Sequence, residues 1–324
     1  MFDPRAAPFQ HSARSRLVRI ADWPKLPPGM ELYKTSMAER DSHGYLYVAH
    51  RGDRPLFRLK PDGSWDGEIG ADFHRKSVLY DLRGATPVPI ETIYVLHGVS
   101  VDPWDNLWVT DCGRHIVMRF DPKGKLTLVL GVDGESGCDE RHFSQPTHAI
   151  AIPSGEIFVT DGYGNSRVVK LSAQGKFLKE WGSRGTEPGQ FHTPHVIRLG
   201  PDGNLYVSDR ENDRVQVFDQ EGRHLQTWNG LHSMDGLAIA PDGRFYGCGG
   251  VDHAIIQFGP GGKPEQVWAD PARGDYPDRH LDPYPKNDYP HGISVDGDGF
   301  IYIAETTPSP LGSRLLKFRT EPRL

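Results

Sequence analysis

A short unit recurs along the chain. It is seen in HGVSVDPWDNLWVTD (97–111), HAIAIPSGEIFVTD (148–161), HVIRLGPDGNLYVSD (195–209), DGLAIAPDGRFYGCGG (235–250) and HGISVDGDGFIYIAE (291–305), with a weaker first copy in 37–63. Each unit reads as an alternating apolar strand, a turn built from Pro, Gly and Asp, and a second apolar strand. Third strands follow at 115–121, 167–172, 214–219, 254–259 and 314–319, and fourth strands at 126–131, 177–182, 224–229 and 265–270. Successive units begin 51, 47, 40 and 56 residues apart. Four strands in about 40–50 residues is the blade of a β-propeller. A lone blade cannot bury both of its faces, so the expected fold is all-β, a six-bladed propeller closed into a ring. An open sandwich of the same strands is the competing architecture. Residues 36–324 are expected to form one domain. Residues 1–35 form an extension that supplies a closing strand, near Leu17–Ile20 or Met30–Lys34.

Charge and composition narrow the class. The 324 residues carry 37 Lys and Arg against 43 Asp and Glu, a net charge of −6. That argues against nucleic acid as a partner. No run approaches the ~18 apolar residues of a membrane span, so no membrane partner is expected. The first residues, MFDPRAAPFQHSARSRLVRI, show no apolar secretory core. Cys112, Cys138 and Cys248 are few and odd in number. They suggest a reducing compartment, and the expected location is cytoplasmic.

First strands line the channel of a propeller, so equivalent positions converge on its axis. Matched by residue type, those positions hold His97, His148, His195, Asp235 and His291. His97, His195 and His291 fall on alternate blades. Three imidazoles around an axis with one face open suit catalytic zinc. Copper and iron also accept imidazole. His148 breaks the three-fold pattern, and three roles are open to it: a fourth axial group, a partner to the ligands, or a substrate contact. Second strands end near the same mouth, and there Arg51, Tyr163 and Arg210 do not repeat between blades. Non-repeating polar residues at a repeated place are site candidates. Asp111, Asp161 and Asp209 do repeat and are expected to brace the turn into the third strand.

Several segments resemble the peptidyl-α-hydroxyglycine α-amidating lyase family, whose members are propellers of the NHL type. They are HRGD (50–53), LHGVSVD (96–102), GCDERHFSQPT (137–147), VTDGYGNSRVVKLSAQGKF (159–177), PGQFHTPH (188–195) and VSDRENDRVQVF (207–218), in the family's order. The likeness spans about 36–320 and is strongest from 137 to 219. It implies zinc held by His97, His195 and His291, and catalytic or substrate-binding roles for Arg51, Tyr163 and Arg210. The family reaction splits a carbinolamide, N–CH(OH)–COO⁻, into an amide and an aldehyde acid. On that model the substrate is a small molecule with a carboxylate, which Arg51 and Arg210 clamp. Tyr163 acts as base once nearby cations lower its phenol, and Tyr163 or His148 returns the proton to nitrogen.

The chain also departs from the family pattern. A calcium-binding aspartate is expected directly after the third zinc histidine, and Gly292 stands there. The calcium site is therefore expected to be absent or weakened, because glycine offers no carboxylate. Family disulfide positions correspond to Ser144 with Gly164 and Tyr206 with Val217. The loop 269–291 reads as a flap over the channel mouth. Two other functions compete: a metal-dependent hydrolase or hydratase of the lactonase kind, and a non-catalytic NHL module binding protein or RNA.

Overall fold

Among the described residues, the repeats are realised as six four-stranded antiparallel sheets. The computed structural model describes residues 14–81, 88–229, 231, 233–249, 254–269, 290–306 and 315–322. The inner strands are Thr35–Arg40, Leu96–Val101, His148–Ala151, Pro194–Leu199, Met234–Ile239 and Pro290–Val295, which we number as blades one to six. Each inner strand packs against those of the blades before and after it, and the sixth packs against the first. The ring is therefore closed, and blades one and four face each other across it.

The first and last described strands meet in blade six. Its outermost strand is Ser15–Arg19, paired antiparallel with Leu315–Pro322 so that Arg19 lies opposite Phe318. Met30–Lys34 leads into blade one without forming a strand. A separate two-stranded hairpin, Ser77–Asp81 with Val88–Ile93, sits between blades one and two. Its alternation was not recognised in the sequence, because it lies outside the repeated unit. Residues 270–289, most of the segment read as a flap, lie outside the described residues.

Burial follows from the sandwiching of each sheet. The second and third strands of blade three, Ile157–Asp161 and Arg167–Leu171, are buried at every position. Its outer strand Phe177–Trp181 is exposed over the middle three residues. Apolar clusters fill the gaps between blades. Val117 and Phe143 meet Val159 and Val169 between blades two and three, and Phe158 meets Ile197 and Phe218 between three and four. The turns use the expected chemistry. In blade six Asp296 Oδ1 accepts the N–H groups of Asp298 and Phe300 at 3.0 and 2.9 Å, and Gly299 supplies φ +80°.

Candidate metal centre

Strand register fixes which residues share a level on the axis. Leu96 pairs with Asp111, Pro194 with Asp209, Met234 with Gly249 and Pro290 with Glu305. His97, His195, Asp235 and His291 each follow one of these paired residues, fourteen positions before the end of the second strand. In blade three His148 pairs with Thr160, and only thirteen residues separate it from Asp161. The residue at the ring level there is Thr147. This corrects the match by residue type: His148 lies one position farther along its strand. Ser36 holds the level in blade one, where Thr35 pairs with His50.

The ring therefore alternates. Blades two, four and six supply His97, His195 and His291, and blades three, five and one supply carbonyl oxygens. His97 Nδ1 donates to Thr147 O at 2.7 Å, His195 Nδ1 to Asp235 O at 2.7 Å, and His291 Nδ1 to Ser36 O at 2.8 Å. Each bond fixes the tautomer with Nδ1 protonated and leaves the Nε2 lone pair facing the axis. The ligand atoms of the three histidines lie within 4.8 Å of one another. The rings stand nearly perpendicular, with centroids 4.7, 4.7 and 5.0 Å apart. Burial, together with the neighbouring cationic groups, holds all three well below the usual imidazole range, so they are neutral at pH 7.

This donor set fits a transition metal. His97 Nε2 and His291 Nε2 are 3.2 Å apart. With both Nδ1 atoms protonated, neither Nε2 has a proton to share. Two nitrogens bound tetrahedrally at Zn–N of about 2.0–2.1 Å would stand about 3.3 Å apart.

Tyr163 closes one edge of the triad. Its hydroxyl is 2.9 Å from His97 Nε2 and 2.9 Å from His195 Nε2. Gly162 makes this approach possible, since a Cβ there would overlap the Pro194 carbonyl. Burial pushes the phenol up to about 12, while Arg210 and Arg51 pull it down. Arg210 opens a short 3₁₀ turn, Arg210–Asn212, with its guanidinium 5.2 Å from the Tyr163 ring centre. Its Nη1 donates to the Tyr163 hydroxyl and to Asp235 Oδ1, both at 3.3 Å. Glu211 Oε1 takes its Nη2 at 2.7 Å. Arg51, 9% exposed, donates Nε to Leu96 O at 3.4 Å and has no carboxylate within ion-pair distance among the described residues.

His148 is fully buried, with Nε2 3.3 Å from Val99 O. No hydrogen bond joins it to Tyr163 or to the triad among the described residues. The repeated aspartates brace turns as expected. Asp161 takes Ser144 N–H, Asn165 and Arg167, and Asp209 takes His192 N–H, Asn212 and Arg214. Both pairs of family disulfide positions are adjacent. A Cβ on Gly164 would overlap Ser144 Oγ, and Tyr206 lies opposite Val217 in the sheet. The sequence reading missed the roles of Asp235 and Glu211. Asp235 did carry a signal, since it holds the ring position in a blade without histidine.

Fold and site together define an NHL-type propeller with an axial histidine triad, and comparison with known proteins agrees on the propeller class. The NHL repeat model matches residues 191–218. The chain is 32% identical over 342 residues to the peptidylglycine alpha-amidating monooxygenase of Rattus norvegicus, covering 93% of this chain and 32% of that protein. It thus spans about a third of the length of that relative. It is 33% identical to the probable peptidyl-alpha-hydroxyglycine alpha-amidating lyase of Caenorhabditis elegans, covering 90% of this chain and 84% of that one. Among solved structures, a gluconolactonase from Xanthomonas campestris superposes with a TM-score of 0.62 at 16% identity, covering 98% and 93% of the two chains. A streptogramin B lyase gives 0.59 at 14%, covering 95% and 97%. Those two likenesses speak to the fold alone. The chain belongs to the peptidyl-α-hydroxyglycine α-amidating lyase family, a family of lyases.

Proposed function

We propose that this protein is a zinc-dependent carbon–nitrogen lyase that cleaves an N-acyl-α-hydroxyglycine to a primary amide and glyoxylate. The observation that carries the proposal is the set of three Nε2 atoms turned to one point by three carbonyl-bound Nδ1–H groups, with the Tyr163 hydroxyl at their edge. The family relationship supports the substrate class.

The net reaction moves one proton from the substrate hydroxyl to the leaving nitrogen. The C–O bond becomes a carbonyl as the C–N bond breaks. His97, His195 and His291 would hold the zinc, and when bound it supplies Lewis acidity toward the substrate hydroxyl oxygen. Tyr163 handles the proton. Its hydroxyl lies 2.9 Å from His195 Nε2 and takes a hydrogen bond from the Arg210 guanidinium, which itself stands 3.4 Å from the same nitrogen. Burial keeps the phenol protonated in the absence of further positive charge, and a cation at the triad would shift it toward the base form. Arg51 is the primary partner for the substrate carboxylate, because no protein carboxylate neutralises it among the described residues. Arg210, already paired with Glu211 and Asp235, orients the phenol and adds positive charge at the mouth.

The test is glyoxylate release from N-benzoyl-α-hydroxyglycine, with N-benzoylglycine as control. We expect stoichiometric glyoxylate and benzamide from the first and none from the second. Hydrolysis of the acyl bond in place of C–N cleavage would refute the reading.

A further inference from the structure

Three residues beyond the ring position on their inner strands, Glu39 of blade one and Arg198 of blade four meet across the channel. Arg198 Nη2 lies 2.7 Å from Glu39 Oε2, with the side chains 12% and 18% exposed. Only ring closure brings these strands together, since neither packs beside the other. Arg198 Nε also donates to Leu237 O at 2.8 Å, on blade five. One level nearer the triad, His148 Nε2 faces Val99 O at 3.3 Å and ties blade three to blade two.

These contacts run beneath the bonds that orient the triad. The His148 contact joins the two strands whose Thr147 carbonyl fixes His97. The Arg198 contact with Leu237 joins the two strands whose Asp235 carbonyl fixes His195. Glu39 anchors the strand whose Ser36 carbonyl fixes His291. A slip of any acceptor strand would lengthen one Nδ1–H bond and release that imidazole's tautomer.

We propose that Glu39, Arg198 and His148 form a polar tier inside the channel that positions the histidine triad, so that they are positioning residues for the metal centre. The proposal rests on the reading of the triad as a metal site. An ion pair of this kind adds little stability over apolar side chains of similar size, which points to geometry as its role.

Two readouts test it, one of them independent of metal. In metal-free protein labelled with ¹⁵N-histidine, the wild-type triad should show a single Nδ1–H tautomer at each ring. Arg198→Met and Glu39→Gln should mix the tautomers and weaken cobalt(II) binding about 10–100-fold, the usual effect of losing a group that orients a ligand. The exchanged pair Glu39→Arg with Arg198→Glu restores the charge pair but not the donor to Leu237 O, so it should recover the His291 tautomer and part of the cobalt affinity while His195 stays mixed. Glu39→Met with Arg198→Met leaves no unpaired charge and so guards against misfolding. It should still lose the tautomer bias and the affinity. Unchanged tautomers and cobalt affinity in the Met pair would overturn the proposal, as would an exchanged pair no better than either single variant. If the wild-type triad binds no cobalt yet its tautomers depend on Arg198, the tier stands as a brace of the ring and the metal reading falls.

Discussion

His195 and Asp235 meet through the backbone while the same aspartate holds a second partner through its side chain. His195 Nδ1 donates to Asp235 O at 2.7 Å, and Asp235 Oδ1 receives Arg210 Nη1 at 3.3 Å. One residue thereby orients an axial imidazole and the mouth arginine. Asp235→Asn keeps the carbonyl and removes the charge. Metal affinity should stay within about 3-fold, while kcat/KM should fall about 10–100-fold, the worth of one hydrogen bond to a charged group. Isothermal titration with zinc and steady-state kinetics separate the two effects. A parallel loss in both would show that the carboxylate supports the triad itself.

Much of this architecture was legible in the chain. Turn residues at fixed offsets and paired apolar strands identify the blades, and the period leads to the triad because ring closure sends one repeat position to the axis. Matching residue types alone misplaced His148, since histidine follows Thr147 where other blades have Gly98, Gly236 or Gly292. Counting fourteen residues back from Asp161 would have found Thr147. The Glu39–Arg198 pair was not legible, because contacts between opposite blades carry no sequence period. The orienting carbonyls were hidden for a different reason: they are backbone atoms, and any side chain can sit above them.

Tyr163→Phe keeps the ring and removes the hydroxyl that touches His97 and His195. It should lower kcat about 10²–10⁴-fold, the usual worth of an acid–base group, with zinc content unchanged. Single-turnover glyoxylate formation at the wild-type rate would remove the phenol from the chemistry.

Gly292 lies against the first blade, where a Cβ would stand 2.6 Å from Ser36 O and 2.8 Å from Met37 Cα. Adding a carboxylate at this position should strain the ring rather than create a calcium site. Gly292→Asp should lose about 1–3 kcal/mol by overpacking and should not regain it in calcium. Because Ser36 O is also the acceptor for His291, zinc affinity should fall as well. Calcium-dependent recovery of the melting temperature would reverse this conclusion.

Acid should destabilise the protein through buried histidines. His50 Nε2 accepts Tyr33 N–H at 2.6 Å, and a proton there would face another donor. Burial lowers His50 and His74 to about 4, against about 6.5 in an unfolded chain. Between those values the unfolded state binds more protons. Their stabilisation is therefore complete above pH 6.5 and is lost as pH falls toward 4, at most about 3 kcal/mol for each. Burial raises Asp111 and Asp161 to about 6, which acts in the opposite sense across part of this window. Comparison with His50→Gln isolates one histidine. Its urea midpoint should change less than the wild type's between pH 7 and pH 5. Equal slopes would mean that His50 does not titrate on unfolding.

The central claim is that His97, His195 and His291 hold one catalytic zinc on the propeller axis. The most direct measurement is metal content by mass spectrometry, paired with glyoxylate release, for the wild type and for His97→Ala, His195→Ala and His291→Ala. The account predicts about one zinc per chain and turnover in the wild type. Each variant should keep its circular dichroism spectrum and lose both zinc and activity. A variant that releases glyoxylate at the wild-type rate without bound metal would contradict it, as would a fully loaded wild type that cleaves no α-hydroxyglycine derivative.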